Sequence, residues 1–442
     1  MIDYIYLSLQ NPWWENKHAV SQDDKIREFD SLKYQYIPAD ILNLPFNNGD
    51  IHVVSGPRQT GKSTAIKLYI RDLLKSNFSP LNILYFNCDA LSDHKDLTDL
   101  LIEYHKQNNG HQTKAIFLDE ISSIDNWPQA VKWLADTGLL KNSCLFLTGS
   151  SGINLKKSGE LLPGRRGKGK DVSFLPVSFY DYLHLVKELV PKIALRDPKA
   201  PKILAGLDHK IKNHYNKFLQ TGGFLRNINY GLTEPTNDLY LKTVKSELFK
   251  AGKKEDNLRE VVRKIIGSLS SQTSYTNIAE EAELGSKNTA IDYLNFLIDS
   301  FFIKEVKFYD LATSRIVLKK NKKFYTVDPY ILWLFEGFVS GSLSFSSFLK
   351  LHQSSVLAEN FIATELVKSN NDFYFYQSSF ELDFYLPSKN TGIEVKYKEK
   401  ITSDDIKSLK PARRKILVSK KTIEMRADLL IIPVHLFPLL KI

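Results

Sequence analysis

Cysteine is scarce in this chain, with only Cys88 and Cys144 among 442 residues. Both lie in apolar runs. That excludes a disulfide framework or a cysteine-rich metal site and marks them as small buried hydrophobes. Long apolar runs are also missing. The nearest, LLIIPVHLF from Leu429, is far too short to span a bilayer and reads as a buried strand, so no membrane partner is expected. The opening MIDYIYLSLQ has neither a basic region nor an apolar core and does not read as a secretory signal. A cytoplasmic protein is therefore expected. Repeats and long low-complexity tracts are absent too. Acids are outnumbered, 50 against 60 Lys and Arg, giving a formal net charge of +10. Such a surplus suits a nucleic-acid partner, but lysine on a wet surface produces it equally well.

What is present begins with length. A chain of 442 residues, 43% hydrophobic, has material for about three domains and several cores. Residues 50 to 64 read DIHVVSGPRQTGKST: an apolar strand, a glycine loop, then apolar residues at helical spacing. This is the context a phosphate loop requires. Gly56, Pro57, Arg58, Gln59, Thr60, Gly61, Lys62, Ser63 and Thr64 would wrap the phosphates of ATP. The glycines free backbone amides to point inward, and the helix N-terminus adds partial positive charge. Lys62 would reach the outer phosphates and Ser63 would ligate Mg²⁺.

A second string, KAIFLDEIS, ends an apolar strand in Asp119 and Glu120. Asp119 would hold the Mg²⁺ shell and Glu120 would polarise the attacking water. In FLTGSSG, Thr148 or Ser150 stands at another strand tip, either sensing the γ-phosphate or simply making a turn. Strands alternating with helices imply a doubly wound parallel sheet, whose ligands gather at the carboxyl ends of the strands.

At this point the chain resembles a known family. NPWWENK, GPRQTGKST, IFLDEIS, LTGSS and LPGRRG…PVSFYDYL are similar to archaeal-type and bacterial AAA-family ATPases that carry a C-terminal restriction-endonuclease-like domain of the DUF4143 type. The resemblance implies ATP binding and hydrolysis.

Residues 179 to 255 read as a helical lid. Within TGGFLRNI, Arg226 is either a nucleotide-sensing arginine or a surface residue after a glycine turn. From 256 to 345 the order is helix, turn, helix, followed by two strand-like runs, which reads as a winged helix. Lys287, Asn288 and Thr289 open its recognition helix and would face DNA. Packing against the motor is the favoured role, because the rest of that helix is apolar and acidic.

Residues 346 to 442 pose the sharpest question: acids inside apolar strands. Asp383 lies between Leu382 and Phe384, and Glu394 between Ile393 and Val395. The order helix, three-strand meander, helix, strand is that of the restriction-endonuclease-like core, and Asp383-x10-Glu394-x-Lys396 fits its PD-(D/E)xK signature. Strand side chains alternate, so Glu394 and Lys396 project the same way. Asp383 and Glu394 would hold Mg²⁺ or Mn²⁺, Glu359 would add a ligand, and Lys396 would orient water. Glu381 is a substitute or a bystander. The rival reading is a retained fold whose charges form a buried ion network.

One basic stretch remains, LKKSGELLPGRRGKGK, residues 155 to 170. It holds Lys156, Lys157, Arg165 and Arg166. Arg165 or Arg166 would act as an arginine finger on a neighbouring subunit's nucleotide, or would contact nucleic-acid phosphates. The finger reading implies a homo-oligomer.

The expected fold class is thus α/β: residues 1 to 178 form a P-loop NTPase core, followed by the lid, the winged helix and the nuclease-like domain. The expected activity is ATP hydrolysis coupled to metal-dependent cleavage of DNA. The alternative is a signal-transducing ATPase switch whose last domain binds without cutting.

Overall fold

A computed structural model of the protein describes residues 4–108, 112–150, 162–341 and 354–442. Two compact units emerge, Met1–Leu175 and Pro176–Ile442. The first boundary lies close to the expected one. Among the described residues, no helix is long and apolar enough to cross a membrane.

The first unit is a five-stranded parallel sheet. Its strands are β1 (Ile51–Ser55), β2 (Ile83–Asn87), β3 (Lys114–Asp119), β4 (Ser143–Gly149) and β5 (Asp171–Ser173), in the order β2-β3-β4-β1-β5. Side-chain alternation along the strands gives the sheet two apolar faces. Ala115 and Phe117 join α1 (Lys62–Lys75) on one face; Ile116 and Leu118 join α2 (His94–Gln107) and α3 (Trp127–Asp136) on the other. That is the doubly wound arrangement. Cys88 and Cys144 are free thiols buried in these cores.

Among the described residues, the outer edge of β2 has no strand beside it. Side chains from the N-terminal segment fill its hydrogen-bond positions. Asn11 Nδ2 donates to the Tyr85 carbonyl at 2.9 Å, and Tyr85 N donates to Asn11 Oδ1 at 2.7 Å. Asn87 N donates to Gln10 Oε1, and the indoles of Trp13 and Trp14 both donate to the Ile83 carbonyl.

In the second unit, helices Phe179–Leu185, Ala200–Thr221, Leu225–Tyr230 and Glu234–Lys250 fill the expected lid span. Next come α4 (Glu255–Gly267), α5 (Tyr275–Glu281) and α6 (Lys287–Asp299), then β6 (Ile303–Val306), β7 (Phe308–Asp310), β8 (Arg315–Val317) and β9 (Lys323–Thr326). Strands β6 and β9 pair antiparallel. After α7 (Pro329–Ser340) and α8 (Ser354–Lys368) come β10 (Tyr374–Gln377), β11 (Glu381–Leu386), β12 (Thr391–Val395), β13 (Arg414–Ser419), β14 (Glu424–Arg426) and β15 (Leu429–Pro433).

Eight of these strands form one mixed sheet, β14-β15-β13-β12-β11-β10-β7-β8. β10, β11 and β12 make an antiparallel meander, and β13 joins β12 in parallel. One detail differs from the sequence reading. The β7–β8 hairpin leaves the winged-helix span and extends the C-terminal sheet. The helix expected at 403–410 is a short 3-10 helix, Asp404–Leu409, that ends before Pro411. One core of buried residues spans Phe224 to Leu357. The boundary expected at residue 345 lies outside the described residues.

The TGG sequence at 221–223 has a packing cause. Gly222 has φ +57°, and a Cβ there would lie 1.8 Å from Asp328 Oδ1. Asp328, fully buried, accepts from Gly223 N at 2.8 Å, Tyr330 N at 2.9 Å and Lys368 Nζ at 2.6 Å. Any side chain at residue 222 would evict this carboxylate.

Candidate functional site

The phosphate loop runs from the end of β1 to the start of α1. Gly56 lies against the next strand's backbone: a Cβ there would sit 2.0 Å from the Phe174 carbonyl oxygen. Gln59 and Gly61 both have positive φ, 63° and 99°, which turns the loop over the helix N-terminus. Lys62 is buried and donates to the carbonyls of Gly56 and Pro57, 2.9 Å each. Its ammonium therefore already points into the loop. Thr60 closes the loop with a 2.9 Å hydrogen bond to the Pro57 carbonyl.

The acid pair and the sensor candidate converge beside it. β3 and β4 are neighbours, so Asp119 and Thr148 end adjacent strands. The Thr148 hydroxyl donates to Asp119 Oδ1 and accepts from Glu120 N at 3.0 Å. Ser150 N donates to Glu120 Oε2 at 3.2 Å. Glu120 sits at φ 52°, a left-handed conformation that costs a non-glycine residue about 1 kcal/mol or more. That strain turns its side chain back toward β4. Sequence reasoning left Thr148 and Ser150 as alternatives; both engage the acid pair.

Two partners were not foreseen. Tyr85 on β2 donates from its hydroxyl to Asp119 Oδ2 at 2.9 Å. Burial, and then the charge of Asp119, push the Tyr85 hydroxyl well above its ordinary range, so it stays a proton donor. Lys67 of α1 lies 3.5 Å over the Tyr85 ring and 3.1 Å from Asp23. Burial lowers its ammonium, while Asp23 works against that. A tyrosine inside an apolar strand gives no local signal of such a role.

The donor set suits a magnesium nucleotide: a serine hydroxyl, a carboxylate held at two oxygens, and an ammonium inside a glycine loop. Arg165 and Arg166 lie elsewhere. Arg165 makes a two-pronged pair with Asp136, at 2.6 and 3.1 Å; Arg166 binds Asp171 and the Ile51 carbonyl. Ile51 opens β1, so both arginines stand at the strand end opposite the phosphate loop. The chain turns back there to lay β5 alongside β1. Lys156 and Lys157 lie outside the described residues. In the second unit, Arg226 is exposed on the short helix Leu225–Tyr230. Lys287 and Asn288 are exposed at the start of α6, where Ser286 accepts from Thr289 N at 3.1 Å.

The second unit brings Glu359, Glu381, Asp383, Glu394 and Lys396 together, but around an unexpected centre. Lys323 of β9 is completely buried, and its ammonium contacts Glu381 at 2.5 Å, Asp383 at 3.1 Å and Glu359 at 3.2 Å. The Tyr325 hydroxyl donates to Glu359 at 2.6 Å. Burial alone would lower Lys323; Tyr325 and the three carboxylates outweigh it and hold the ammonium far above the usual lysine range. Asp383 also accepts from Val395 N at 2.9 Å, and Lys396 pairs with Glu394 at 2.5 Å. Burial, then the Asp383 charge, raise Glu394 to about 8 and Glu359 to about 7. Among the described residues, no three His, Cys, Asp or Glu side chains are disposed to hold a metal ion. That differs from the expected ligand set of Asp383, Glu394 and Glu359, because a lysine ammonium stands where Glu359, Glu381 and Asp383 converge.

Comparisons with known proteins accord with this organisation. A family model described as an AAA domain matches residues 48–183, domain of unknown function DUF8612 matches 213–338, and domain of unknown function DUF4143 matches 355–437. An uncharacterized protein of Methanocaldococcus jannaschii is 25% identical over 77% of this chain and 73% of its own length. One from Haemophilus influenzae is 27% identical over 64% and 69%. Among solved structures, the Aeropyrum pernix ORC2 protein, in ADPNP and ADP complexes, aligns at TM-score 0.36 and 11% identity over 66% of this chain and 88% of that one. AMPPCP-bound DnaA of Aquifex aeolicus aligns at TM-score 0.24 and 16% identity over 61% and 88%. An AAA domain over residues 48–183, with its phosphate loop and acid pair, is thus joined in this chain to a C-terminal DUF4143 domain over residues 355–437.

Proposed function

We propose that the protein binds and hydrolyses ATP in its first unit, and uses the cycle to switch a C-terminal domain that engages DNA without cutting it. The convergence of Lys62, Asp119, Glu120 and Thr148 at the carboxyl ends of β1, β3 and β4 carries the first half. In this reading Lys62 leaves the Gly56 and Pro57 carbonyls for phosphate oxygens. Ser63 and Asp119 hold Mg²⁺, which when bound neutralises charge on the outer phosphates. Glu120 takes a proton from the attacking water. Thr148 joins the two acids through one hydroxyl, so a shift at the phosphates moves both.

Lys323 supports the non-cutting half. An ammonium tethered among Glu359, Glu381 and Asp383 supplies the positive charge that a divalent cation would bring. α5, α6, β6 and β9 fit a winged helix, and the exposed Lys287 and Asn288 are its candidate DNA contacts. A second reading keeps cleavage. Asp383 and Glu394 lie on paired strands with Lys396 on Glu394, the arrangement of a metal-dependent nuclease core. The test is to incubate the purified protein with DNA and RNA, with and without ATP, in Mg²⁺ and in Mn²⁺. ATP turnover with intact nucleic acid supports the switch. Cleavage abolished by Asp383→Ala and Lys396→Ala establishes the second reading.

A further inference from the structure

The C-terminal sheet carries a second polar feature at its other end. Arg414 of β13 pairs with Thr391 of β12, while Glu394 pairs with Leu417. Three strand residues, about 10 Å, therefore separate this end from the carboxylate cluster. Here Arg196, Ser388, Lys389, Asn390, Arg413 and Arg414 line a cavity of about 300 Å³, and no carboxylate lines it.

The cavity is built, not merely bordered by loose side chains. Asn390 adopts φ 44°; its side-chain oxygen accepts from Arg413 N at 3.0 Å and its carbonyl from Arg414 N at 3.0 Å. The turn thus fixes the backbone of both arginines. Lys389 is held at 2.6 Å by Asn371 Oδ1 and by the backbone oxygen of Ile442. Among the described residues, the guanidinium groups of Arg196, Arg413 and Arg414 make no ion pair or hydrogen bond. Asp428, an acid that feels Arg196, is already paired with Lys415 at 2.5 Å. Three arginines border one small space whose lining holds no carboxylate, while the Lys389 ammonium is taken up by Asn371 and Ile442.

We propose that this cavity is a phosphate-binding site. Planar guanidinium forks match phosphate oxygens two at a time, and the absence of a competing carboxylate leaves them available. The volume suits one phosphate with its attached sugar, at the small end of ligand sites. The phosphate belongs to a nucleic-acid strand. Tyr385 donates to Asn390 Oδ1 at 3.4 Å, and its ring lies 5.5 Å from that of Tyr309, which lies 5.5 Å from that of Tyr374. Tyr309 and Tyr374 are partly exposed, so a row of rings able to meet bases leads away from Asn390 through Tyr385. This source rests on nucleic acid being the partner; a free phosphate ester shares the chemistry.

The test measures binding of a labelled single strand of about 16 nucleotides by fluorescence anisotropy at several salt concentrations. Titration with inorganic pyrophosphate runs in parallel. Full-length wild type is compared with the Arg413→Gln, Arg414→Gln double variant; the single variants serve if the double one fails to fold. ATP turnover and thermal midpoint should not change. For the double variant, the expected result is roughly tenfold weaker strand binding, with a salt slope shallower by about 1.4. If wild type binds pyrophosphate but no strand, and the variant loses pyrophosphate, the site stands and nucleic acid is not its source. Equal strand affinity and slope with equal pyrophosphate binding in both proteins overturns the site, as does the failure of wild type to bind either probe.

Discussion

Lys323 and Asp383 lie 60 residues apart in sequence and 3.1 Å apart in space. One opens β9, and the other stands in the middle of β11. Their contact ties the two-stranded pair of β6 and β9 to the C-terminal sheet through buried charge. Removing one member of a buried pair leaves the other uncompensated, which costs about 3 to 5 kcal/mol. Lys323→Met should therefore destabilise the second unit by that amount in urea unfolding. Millimolar Mn²⁺ should restore part of the loss in the variant and leave wild type unaffected. A change below about 1 kcal/mol would mean that the carboxylates do not depend on this ammonium.

Tyr85 acts on magnesium through Asp119. Loss of a hydrogen bond to a metal-ligating carboxylate weakens metal affinity about 10- to 100-fold. Tyr85→Phe should raise the Mg²⁺ concentration for half-maximal ATP turnover by about tenfold. Metal-free nucleotide binding should stay constant, because the phenol touches the acid and not the phosphate loop. An unchanged magnesium dependence would reduce Tyr85 to a packing residue.

Lys62 and Glu120 should fail differently. Lys62→Ala removes the ammonium from the loop, so nucleotide binding and turnover fall together. Glu120→Gln keeps the backbone contact to Thr148 but cannot accept a proton; turnover should drop about 10²- to 10⁴-fold with ATP still bound. Filter binding and phosphate release separate the two outcomes.

Glu365 gives the second unit a pH dependence. It is buried, accepts from Phe179 N at 3.0 Å, and faces Lys368, Asp181 and Lys192. Burial raises its carboxyl to about 7 despite Lys368. The folded state then holds a proton that the unfolded chain has released between about pH 4.5 and 7. Stability contributed by this group is greatest at low pH and declines as pH rises through that window. Glu365→Gln should flatten this part of the stability curve, by on the order of 3 kcal/mol across the window. A slope identical to wild type in thermal melts from pH 5 to 8 would rule the group out.

How far these features could be read from the sequence depended on whether their cause was local. The phosphate loop and the acid pair are strings of adjacent residues, each at a strand end, so spacing alone revealed them. Asp383, Glu394 and Lys396 were singled out by the nuclease signature that the family resemblance implies, and strand alternation put only Glu394 and Lys396 on one face. Lys323 was not, because it sits in the basic run KKNKK and becomes singular only when β9 packs beneath Asp383. Tyr85 hid for the same reason: its hydroxyl finds Asp119 across a strand pairing. For Arg165 and Arg166, a basic glycine-rich stretch says nothing about which end of the sheet it meets. That is decided by the Arg166 contact to the Ile51 carbonyl and by the pairing of β5 with β1.

The side chains that cover β2 have a consequence for how this protein survives crowding. An exposed parallel edge is a template on which a second polypeptide can grow. Gln10, Asn11, Trp13 and Trp14 spend that template with amide and indole groups, and those groups cannot hand a continuing ladder to a newcomer. A lesion in NPWW would thus appear as insolubility: a terminator of fibre growth is written into the stretch that covers this edge.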